Sequence, residues 1–244
     1  MRITSAMRLP AAALALVAAL AAQLCAGEPP AREPMDRKAA EEFLAGVVEA
    51  RKGVKTVTAT FAETKESVIL LGESRSGGVL RVVRPDSVRR DVVRPSRSAI
   101  ILVGARGWLC VPGSKDIAFD LSKGRGQNVA GVILGLLVAE SFDLVELEKR
   151  FHVAAFAAAG ELVLELKPVE KELAEKLPII RIFFQPKAVW PRRVEWETAE
   201  GDRLADEFAV VPAAGEIPPG IFSPPVDWDE KLPEPAKSPA PVGP

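Results

Sequence analysis

Two residues have side chains of the types that serve in nucleophilic catalysis, His152 and Cys110. A hydrolase would need a cysteine or serine nucleophile, histidine as the general base and an acid that orients the imidazole. The sequence contains no Gly-x-Ser-x-Gly motif. His152 lies within a strand-like segment, and Cys110 follows Trp108 and Leu109, which is typical of a small buried hydrophobic residue. We therefore predict no catalytic residue and no enzymatic activity, and keep a hydrolase that uses Cys110 or a serine with His152 as an alternative.

Carboxylates and glycines also fail to form a recognisable catalytic or cofactor site. Asp206 and Glu207 are adjacent, so in a strand they point to opposite faces, and Asp227 and Asp229 lie near the C-terminus without a predicted pocket. The glycines of residues 124–126 lack the spacing of a phosphate-binding loop. One histidine and two cysteines are too few for a multi-histidine or four-cysteine metal site. We predict neither a metal nor a cofactor.

Arginines are concentrated in residues 75–97, which contain seven Arg and two Asp but no Lys or Glu. This segment is either a basic stripe for phospholipid headgroups or a partner protein, or the exposed face of ordinary strands, and the sequence leaves both open. The whole chain has 32 Lys and Arg against 33 Asp and Glu, a formal net charge of -1. This balance argues against nucleic acid as a partner, because that function needs a basic surplus.

Residues 1–27 have the pattern of a signal peptide. Arg2 and Arg8 precede an apolar run over residues 9–24, and small residues follow at a possible cleavage site. The run is shorter than the roughly 20 residues that span a bilayer. We therefore expect export to the periplasm. Lipid attachment at Cys25 is the alternative, but Leu24 stands where lipoprotein signals have a small residue.

Hydrophobic periodicity predicts the elements of the rest of the chain. An amphipathic helix is expected over residues 36–52, with Asp36 as its N-cap and Gly53 at its end. Alternating apolar residues then predict an antiparallel sheet. Its short strands are expected from Val54 to Phe61 and over residues 68–71, 78–83, 87–94, 98–103, 107–111, 116–121, 151–156, 162–166, 179–184, 189–197 and 203–211.

The strands are interrupted by a segment that is apolar nearly all round, residues 127–138, which predicts a short helix. A second short helix is expected over residues 143–150, and a charged insertion over 169–177. Residues 28–35 are expected to be loose, and the Pro-rich residues 231–244 disordered. The predicted fold is mainly β: one large antiparallel sheet of about eleven strands, curled into an unclosed half-barrel, with an N-terminal helix and an apolar helical segment to cover it.

Four segments together resemble the LolA family of periplasmic lipoprotein carriers. The first is Val57-x-x-x-Phe61, in the first strand after the helix. The second is the Gly78–Pro85 strand, which begins at Gly and ends at Arg-Pro. The third is the Gly107–Pro112 run, which contains a tryptophan, and the fourth is the Ile217–Pro225 close with its consecutive prolines. The order and spacing of these segments match the family, and we assign residues 36–230 to a LolA-like carrier domain.

The resemblance implies a helical lid over an apolar cavity that holds the acyl chains of lipoproteins. It implies delivery from an inner-membrane ABC lipoprotein-release complex to an outer-membrane lipoprotein acceptor, by a protein that we expect to be a monomer. It also implies that Arg84, at the Arg-Pro position, bonds to lid backbone when the lid is closed. The residues expected to line the cavity or form the lid are Arg84, Leu80, Val82, Trp108, Val129, Ile133, Leu134, Leu137, Phe184 and Trp196.

The sequence also departs from the family pattern. Glu63 stands where the first strand of the family commonly has Gln, and the 169–177 insertion is longer than the usual turn. Proteins with this fold can have other cargo. A transfer protein for another lipid and a lipoprotein-sensing regulator therefore remain alternatives to a lipoprotein carrier.

Overall fold

One antiparallel sheet of twelve strands forms the framework of the molecule. The structure is a computed structural model, and it describes residues 32–69, 72–121, 129–138, 142–211 and 217–234. The strands are β1 (Glu33–Pro34), β2 (Thr56–Ser67), β3 (Gly72–Val83), β4 (Ser87–Arg94), β5 (Ser98–Val103), β6 (Arg106–Cys110), β7 (Ile117–Asp120), β8 (Phe151–Ala158), β9 (Glu161–Pro168), β10 (Ile179–Phe184), β11 (Arg193–Glu197) and β12 (Arg203–Val210).

The sheet is open, with β1 at one edge and β7 at the other. The strand order is β1-β8-β9-β10-β11-β12-β2-β3-β4-β5-β6-β7, so most neighbours are consecutive hairpins. The prediction of a single unclosed antiparallel sheet is confirmed. The described strands number twelve, where about eleven were expected, and one of them was not expected at all: Glu33 and Pro34 pair with Ala157 and Phe156 of β8. Two residues of the segment that we expected to be loose, residues 28–35, thus form a short strand, and residues 28–31 lie outside the described residues.

Four helices accompany the sheet in the part of the chain that the structure describes. They are α1 (Arg37–Arg51), α2 (Val129–Val138), α3 (Leu144–Glu148) and α4 (Lys171–Ala174), and a single 3-10 turn spans Pro219–Phe222. The Asp36 carboxylate caps α1 by accepting from the backbone N–H of Ala39 at 2.8 Å. Gly53 follows α1 with a φ of +75°, a conformation that suits glycine. The expected helices therefore form, and the 169–177 insertion contains α4.

Val68 and Ile69, expected to begin a separate strand over residues 68–71, lie instead in a turn after β2, and residues 70–71 lie outside the described residues. Strands β2 and β3 are each 12 residues long and pair along their whole length, from Thr56 opposite Val83 to Ser67 opposite Gly72. Val68 begins the turn, and its backbone N–H donates to Asp202 Oδ1 at 3.0 Å. The polar second half of β2 carries no apolar alternation, so the sequence pattern missed the extension of both strands.

The two faces of the sheet differ in what covers them. We call the inner face the one that packs against α1 and α2, and the outer face the opposite one. The inner face carries the main hydrophobic cluster, which includes Phe61, Leu80, Val82, Ile180 and Phe184. Part of the outer face carries a smaller cluster, in which Ala99, Ile101 and Cys110 pack against Phe222 and Val226 of the C-terminal segment.

Some of the predictions concern residues outside those that the structure describes. The predicted signal peptide, residues 1–27 with Cys25, lies outside the described residues, as do positions 235–244 of the predicted tail. The described residues fall within one unit, Arg32–Ser238. Within them, none of the helices combines the length and hydrophobicity that a membrane span requires.

Candidate functional site

Helix α2 is an apolar helix that packs onto the inner face. Its sequence, VAGVILGLLV, contains no polar side chain, and Ile133, Leu134 and Leu137 are buried in the same cluster as the strands. Gly131 lies against the side chain of Leu121, since a Cβ there would stand 2.5 Å from Leu121 Cδ2. An isolated helix of this composition would not stay dissolved, so its attachment to the sheet depends on burial of this apolar surface.

The structure brings most of the residues that we predicted from the sequence to this face. Leu80 and Val82 of β3 lie there, together with Phe184 of β10 and Trp196 of β11, and all four belong to the inner cluster. Val129 is partly buried against the same cluster. This common location fits the expectation that these side chains line one apolar site, although their role in binding a lipid stays a prediction.

Trp108, which we grouped with these residues from the sequence, lies instead on the outer face. It pairs with Ile101 of β5 and packs in the outer cluster, against the C-terminal segment. Strand alternation is the physical reason, because Trp108 is out of phase with Gly107 and Leu109, whose partners Leu102 and Ile100 face inward. A tryptophan in a predicted strand indicates burial, but not on which face.

Arg84 lies in the turn after β3, next to two loops. Its Nη1 donates to the backbone carbonyl of Val54 at 2.9 Å, and its Nη2 lies 3.5 Å from the carbonyl of Val189. These contacts join the end of β3 to the α1–β2 loop and the β10–β11 loop. The expected bond from Arg84 to lid backbone stays a prediction.

Arg51, which the sequence analysis did not single out, contacts α2 directly. It is 3% exposed, its Nη2 lies 3.4 Å from the carbonyl oxygen of Leu137, and its guanidinium lies 4.8 Å from the ring centre of Phe142. Burial and the nearby charge of Arg84 lower the pKa of Arg51 to about 9. The signal was its spacing: Leu44, Val47 and Arg51 follow one stripe of α1.

A charged cluster interrupts the apolar inner face where β2, β4 and β12 lie near one another. Arg90 Nη2 donates to Glu63 Oε2 at 2.7 Å and to Asp206 Oδ1 at 3.1 Å. The Arg90 guanidinium also lies 3.8 Å from the ring centre of Phe61. A Cβ on Gly78 would stand 1.8 Å from the backbone oxygen of Asp91 and 2.9 Å from that ring, so the close approach of β4 requires glycine there and the ring gains room beside it. Burial raises the pKa of Asp206 to about 6, although the Arg90 charge opposes the shift.

Comparison with known families identifies the group to which this molecule belongs. The model of the outer membrane lipoprotein carrier protein LolA matches residues 52–224. The chain belongs to the LolA family. Comparison with curated proteins gave no significant match.

Several solved structures resemble this chain at low sequence identity. A LolA superfamily protein from Nitrosomonas europaea is 16% identical, with 76% of this chain and 97% of that chain covered and a TM-score of 0.46. The lipoprotein LppX from Mycobacterium tuberculosis is 9% identical, with 71% and 95% covered and a TM-score of 0.39. The MucA/MucB complex from Pseudomonas aeruginosa matches at 12% identity, with 76% and 61% covered and a TM-score of 0.37.

In this LolA family member the arginines of residues 75–97 are largely paired. Arg81 and Arg89 bind Asp91 on the outer face, at 2.8 Å each, and both also contact Glu230 of the C-terminal segment. Arg90 is held by the inner cluster described above. The concentration of arginine in the sequence is therefore not a free basic stripe, because acids from distant segments neutralise much of it.

The two residues considered for nucleophilic catalysis are far apart in the sheet of this LolA family member. Cys110 ends β6, next to the β7 edge, whereas His152 is exposed on β8, next to the β1 edge. Burial and the neighbouring Asp116 raise the pKa of the Cys110 thiol to about 12. A thiol that stays protonated and lies among the apolar residues of the outer cluster is a poor nucleophile. The hydrolase alternative gains no support from this geometry.

Proposed function

We propose that this protein is a periplasmic carrier that binds the acyl chains of lipoproteins on its inner face and transports them from the inner to the outer membrane. One observation carries the proposal. An entirely apolar helix, α2, covers the apolar inner face of an unclosed sheet, in a chain that belongs to the LolA family. The predicted signal peptide of residues 1–27 supplies the expected route to the periplasm.

Exchange between α2 and cargo explains how such a carrier could both bind and release. Burial of an acyl chain contributes about 0.8 kcal/mol per CH2, or about 12 kcal/mol for a chain of roughly sixteen carbons. The buried side chains of α2 each contribute about 1.5–3 kcal/mol, so the helix as a whole contributes about 10 kcal/mol. The buried side chains counted in this sum are those of Ile133, Leu134, Leu136, Leu137 and Val138. Because the two quantities are similar, an acyl chain can displace α2 without becoming trapped.

The proposal gives the residues of the inner face their roles. Leu80, Val82, Phe184 and Trp196 contact the acyl chain, and the α2 residues Val129, Ile133, Leu134 and Leu137 form the lid that closes over the empty site. Arg84 helps to hold that lid in place. The protein acts by binding alone and has no catalytic step. The partners are the inner-membrane release complex, the acylated lipoprotein and the outer-membrane acceptor.

Native mass spectrometry of protein purified from the periplasm without detergent tests the proposal. A bound acylated lipoprotein is the expected result. Bound phospholipid or glycolipid alone would favour the alternative of a carrier for another lipid, and a protein without any lipid that also fails to bind a fluorescent fatty acid would contradict both.

A pair of variants tests where the acyl chain binds. Leu134→Asp introduces a charge on the buried side of α2, weakens the packing of the lid that competes with the acyl chain, and should strengthen fluorescent fatty acid binding at least about tenfold. Val145→Asp is the matched control, because Val145 lies on the neighbouring helix α3 and is 53% exposed. Equal binding by Leu134→Asp and wild type would place the acyl chain elsewhere.

A further inference from the structure

The Glu63–Arg90–Asp206 cluster has a position that its surroundings do not explain. Glu63 of β2 pairs directly with Asp206 of β12, and Arg90 of β4 pairs with the inward-facing Leu80 of β3, so all three lie on the inner face. The inward neighbours Phe61, Val92 and Phe208 are apolar and pack in the main cluster. On the Glu63 side the face is polar, because Lys65 follows on β2 and Ser76 Oγ donates to Glu63 Oε1 at 2.9 Å. The exposed fraction increases from Asp206 at 4% through Arg90 at 11% to Glu63 at 22%, so the cluster opens on the Glu63 side.

The arginine of the cluster keeps part of its hydrogen-bonding capacity unused. Both carboxylates accept from the same atom, Arg90 Nη2. Among the residues that the structure describes, the Nε and Nη1 atoms of Arg90 have no hydrogen-bond partner. Neither atom is fully buried, so a ligand can reach them. The Phe61 ring covers one face of the guanidinium, which leaves the edge with these N–H groups available.

The charge of the neighbouring carboxylates determines which kind of acceptor the free N–H groups of Arg90 can bind. Two carboxylates share one guanidinium, so an anionic headgroup such as a phosphate would be repelled by Glu63 and Asp206. A neutral carbonyl oxygen accepts from arginine without that repulsion. Replacement of a buried charged cluster by apolar residues is often neutral or stabilising, so stability alone gives little reason for charges on this face.

We propose that the Glu63–Arg90–Asp206 cluster binds the ester carbonyl oxygens that join acyl chains to a glycerol group, with Arg90 as the donor and the two carboxylates as the groups that hold Arg90 in place. This inference rests on the proposed function, since it describes how the polar end of an acyl cargo would sit on the apolar inner face. The cluster thereby selects acylglycerol-type cargo over plain hydrocarbon.

Two lipids that differ only in their carbonyl groups test this inference. Dioctanoylglycerol carries two ester carbonyls, and its diether analogue dioctylglycerol carries none. Their affinities are measured by displacement of the fluorescent probe N-phenylnaphthylamine from purified protein. Wild type should bind the diester about tenfold more tightly than the diether, the value of one charge-assisted hydrogen bond.

The matched variants change the charges while the side chains keep their approximate shapes. The triple variant Glu63→Gln, Arg90→Met, Asp206→Asn removes the cluster without leaving an unpaired charge, and should bind both lipids with the affinity of the diether. The control carries the same changes on the outer face, where Arg181 bonds to Glu165 at 3.0 Å and to Glu197 at 3.1 Å. Its substitutions are Glu165→Gln, Arg181→Met and Glu197→Gln, and it should keep the preference for the diester.

The outcomes separate this inference from the proposed function. If wild type binds both lipids equally, or if the inner-face variant keeps the diester preference with an unchanged circular dichroism spectrum, the inference is overturned while acyl binding stands. If wild type displaces the probe with neither lipid, both the proposed function and this inference are contradicted.

Discussion

The Nη2 atom of Arg51 lies 3.4 Å from the carbonyl oxygen of Leu137, which joins the last turn of α1 to the last turn of α2. A carbonyl in the last turn of a helix has no partner within the helix, so a cationic donor there satisfies it and complements the helix dipole. Arg51 is almost fully buried, and α1 is fixed to the sheet by Ala40, Leu44 and Val47. The end of α2 is thus held by a rigid neighbour.

Arg51→Met should loosen α2 while it preserves the packing of the arginine stem. We expect hydrogen exchange of residues 129–138 to increase several-fold and the uptake of a fluorescent fatty acid to accelerate, because one hydrogen bond to a charged donor is worth about 1.5–3 kcal/mol. Hydrogen exchange followed by mass spectrometry measures the first effect. Lys52→Met is the control, since Lys52 is exposed and pairs only with Glu49. Unchanged exchange in Arg51→Met would show that this contact does not hold the helix.

Asp206 should make the folded state less stable as the pH rises. Its folded pKa of about 6 exceeds its ordinary value of 3.8, so the native protein binds more protons than the unfolded chain between these values. Its contribution therefore stabilises the fold at low pH and is lost as the pH rises through about 4 to 6, by of order 3 kcal/mol. Urea unfolding across this range measures the effect. As the pH rises, the free energy of unfolding of wild type should fall relative to that of Asp206→Asn.

Asp202→Asn provides a control of opposite sign. Hydrogen bonds from Lys65 and from the Val68 backbone lower the pKa of Asp202 below its ordinary value. Asp202 therefore stabilises the fold above pH 3.8, and this contribution is lost as the pH falls. A stability difference for Asp206→Asn that followed the same direction as that for Asp202→Asn would contradict the assignment.

The two glycines of α2 should respond differently to alanine. A Cβ at Gly135 would meet open space, so Gly135→Ala should stabilise the helix by about 0.5–1 kcal/mol and slow the uptake of a fluorescent fatty acid. A Cβ at Gly131 would stand 2.5 Å from Leu121, so the same gain is offset by displacement of that side chain. Stopped-flow fluorescence measures uptake, and thermal unfolding measures stability. Faster uptake by Gly135→Ala would argue against displacement of α2 by the lipid.

Tryptophan fluorescence distinguishes the two faces of the sheet. Trp196 belongs to the inner cluster and Trp108 to the outer one. A fatty acid with a brominated chain quenches indole fluorescence on contact. Trp196→Phe should therefore reduce the fluorescence intensity that is lost on adding this lipid, whereas Trp108→Phe should leave that loss unchanged. The reverse pattern would move the lipid to the face that the C-terminal segment covers.

Local patterns were sufficient to predict most of the elements. The cap at Asp36, the stripe of Leu44 and Val47 and the strand expected over residues 116–121 each depend on neighbours within a few positions, and each forms, the strand as β7. The mainly antiparallel, unclosed sheet follows from short strands joined by tight turns. The family resemblance added the apolar helix as a lid, which periodicity alone could not distinguish from an ordinary core helix.

The features that could not be predicted from the sequence depend on contacts between residues far apart in the chain. The face that Trp108 occupies depends on the register between β5 and β6, and the burial of Arg51 depends on Leu137, which is 86 positions away in the chain. The Glu63–Arg90–Asp206 cluster joins three strands, with Asp206 116 positions from Arg90. Glu63 attracted notice as a departure from the family pattern, but only the fold provides its partners.

The short edges of the sheet also bear on how the protein behaves at high concentration. An open sheet exposes unpaired backbone groups on its outermost strands, and such edges recruit other chains into aggregates. Here one outermost strand, β1, has only two residues, one of which is Pro34 and lacks an N–H group, and the other, β7, has four. Edges this short give a second chain little to extend. Within the described residues, the outermost strands of the unclosed sheet, which the proposed reversible loading requires, thus offer little template for fibrils.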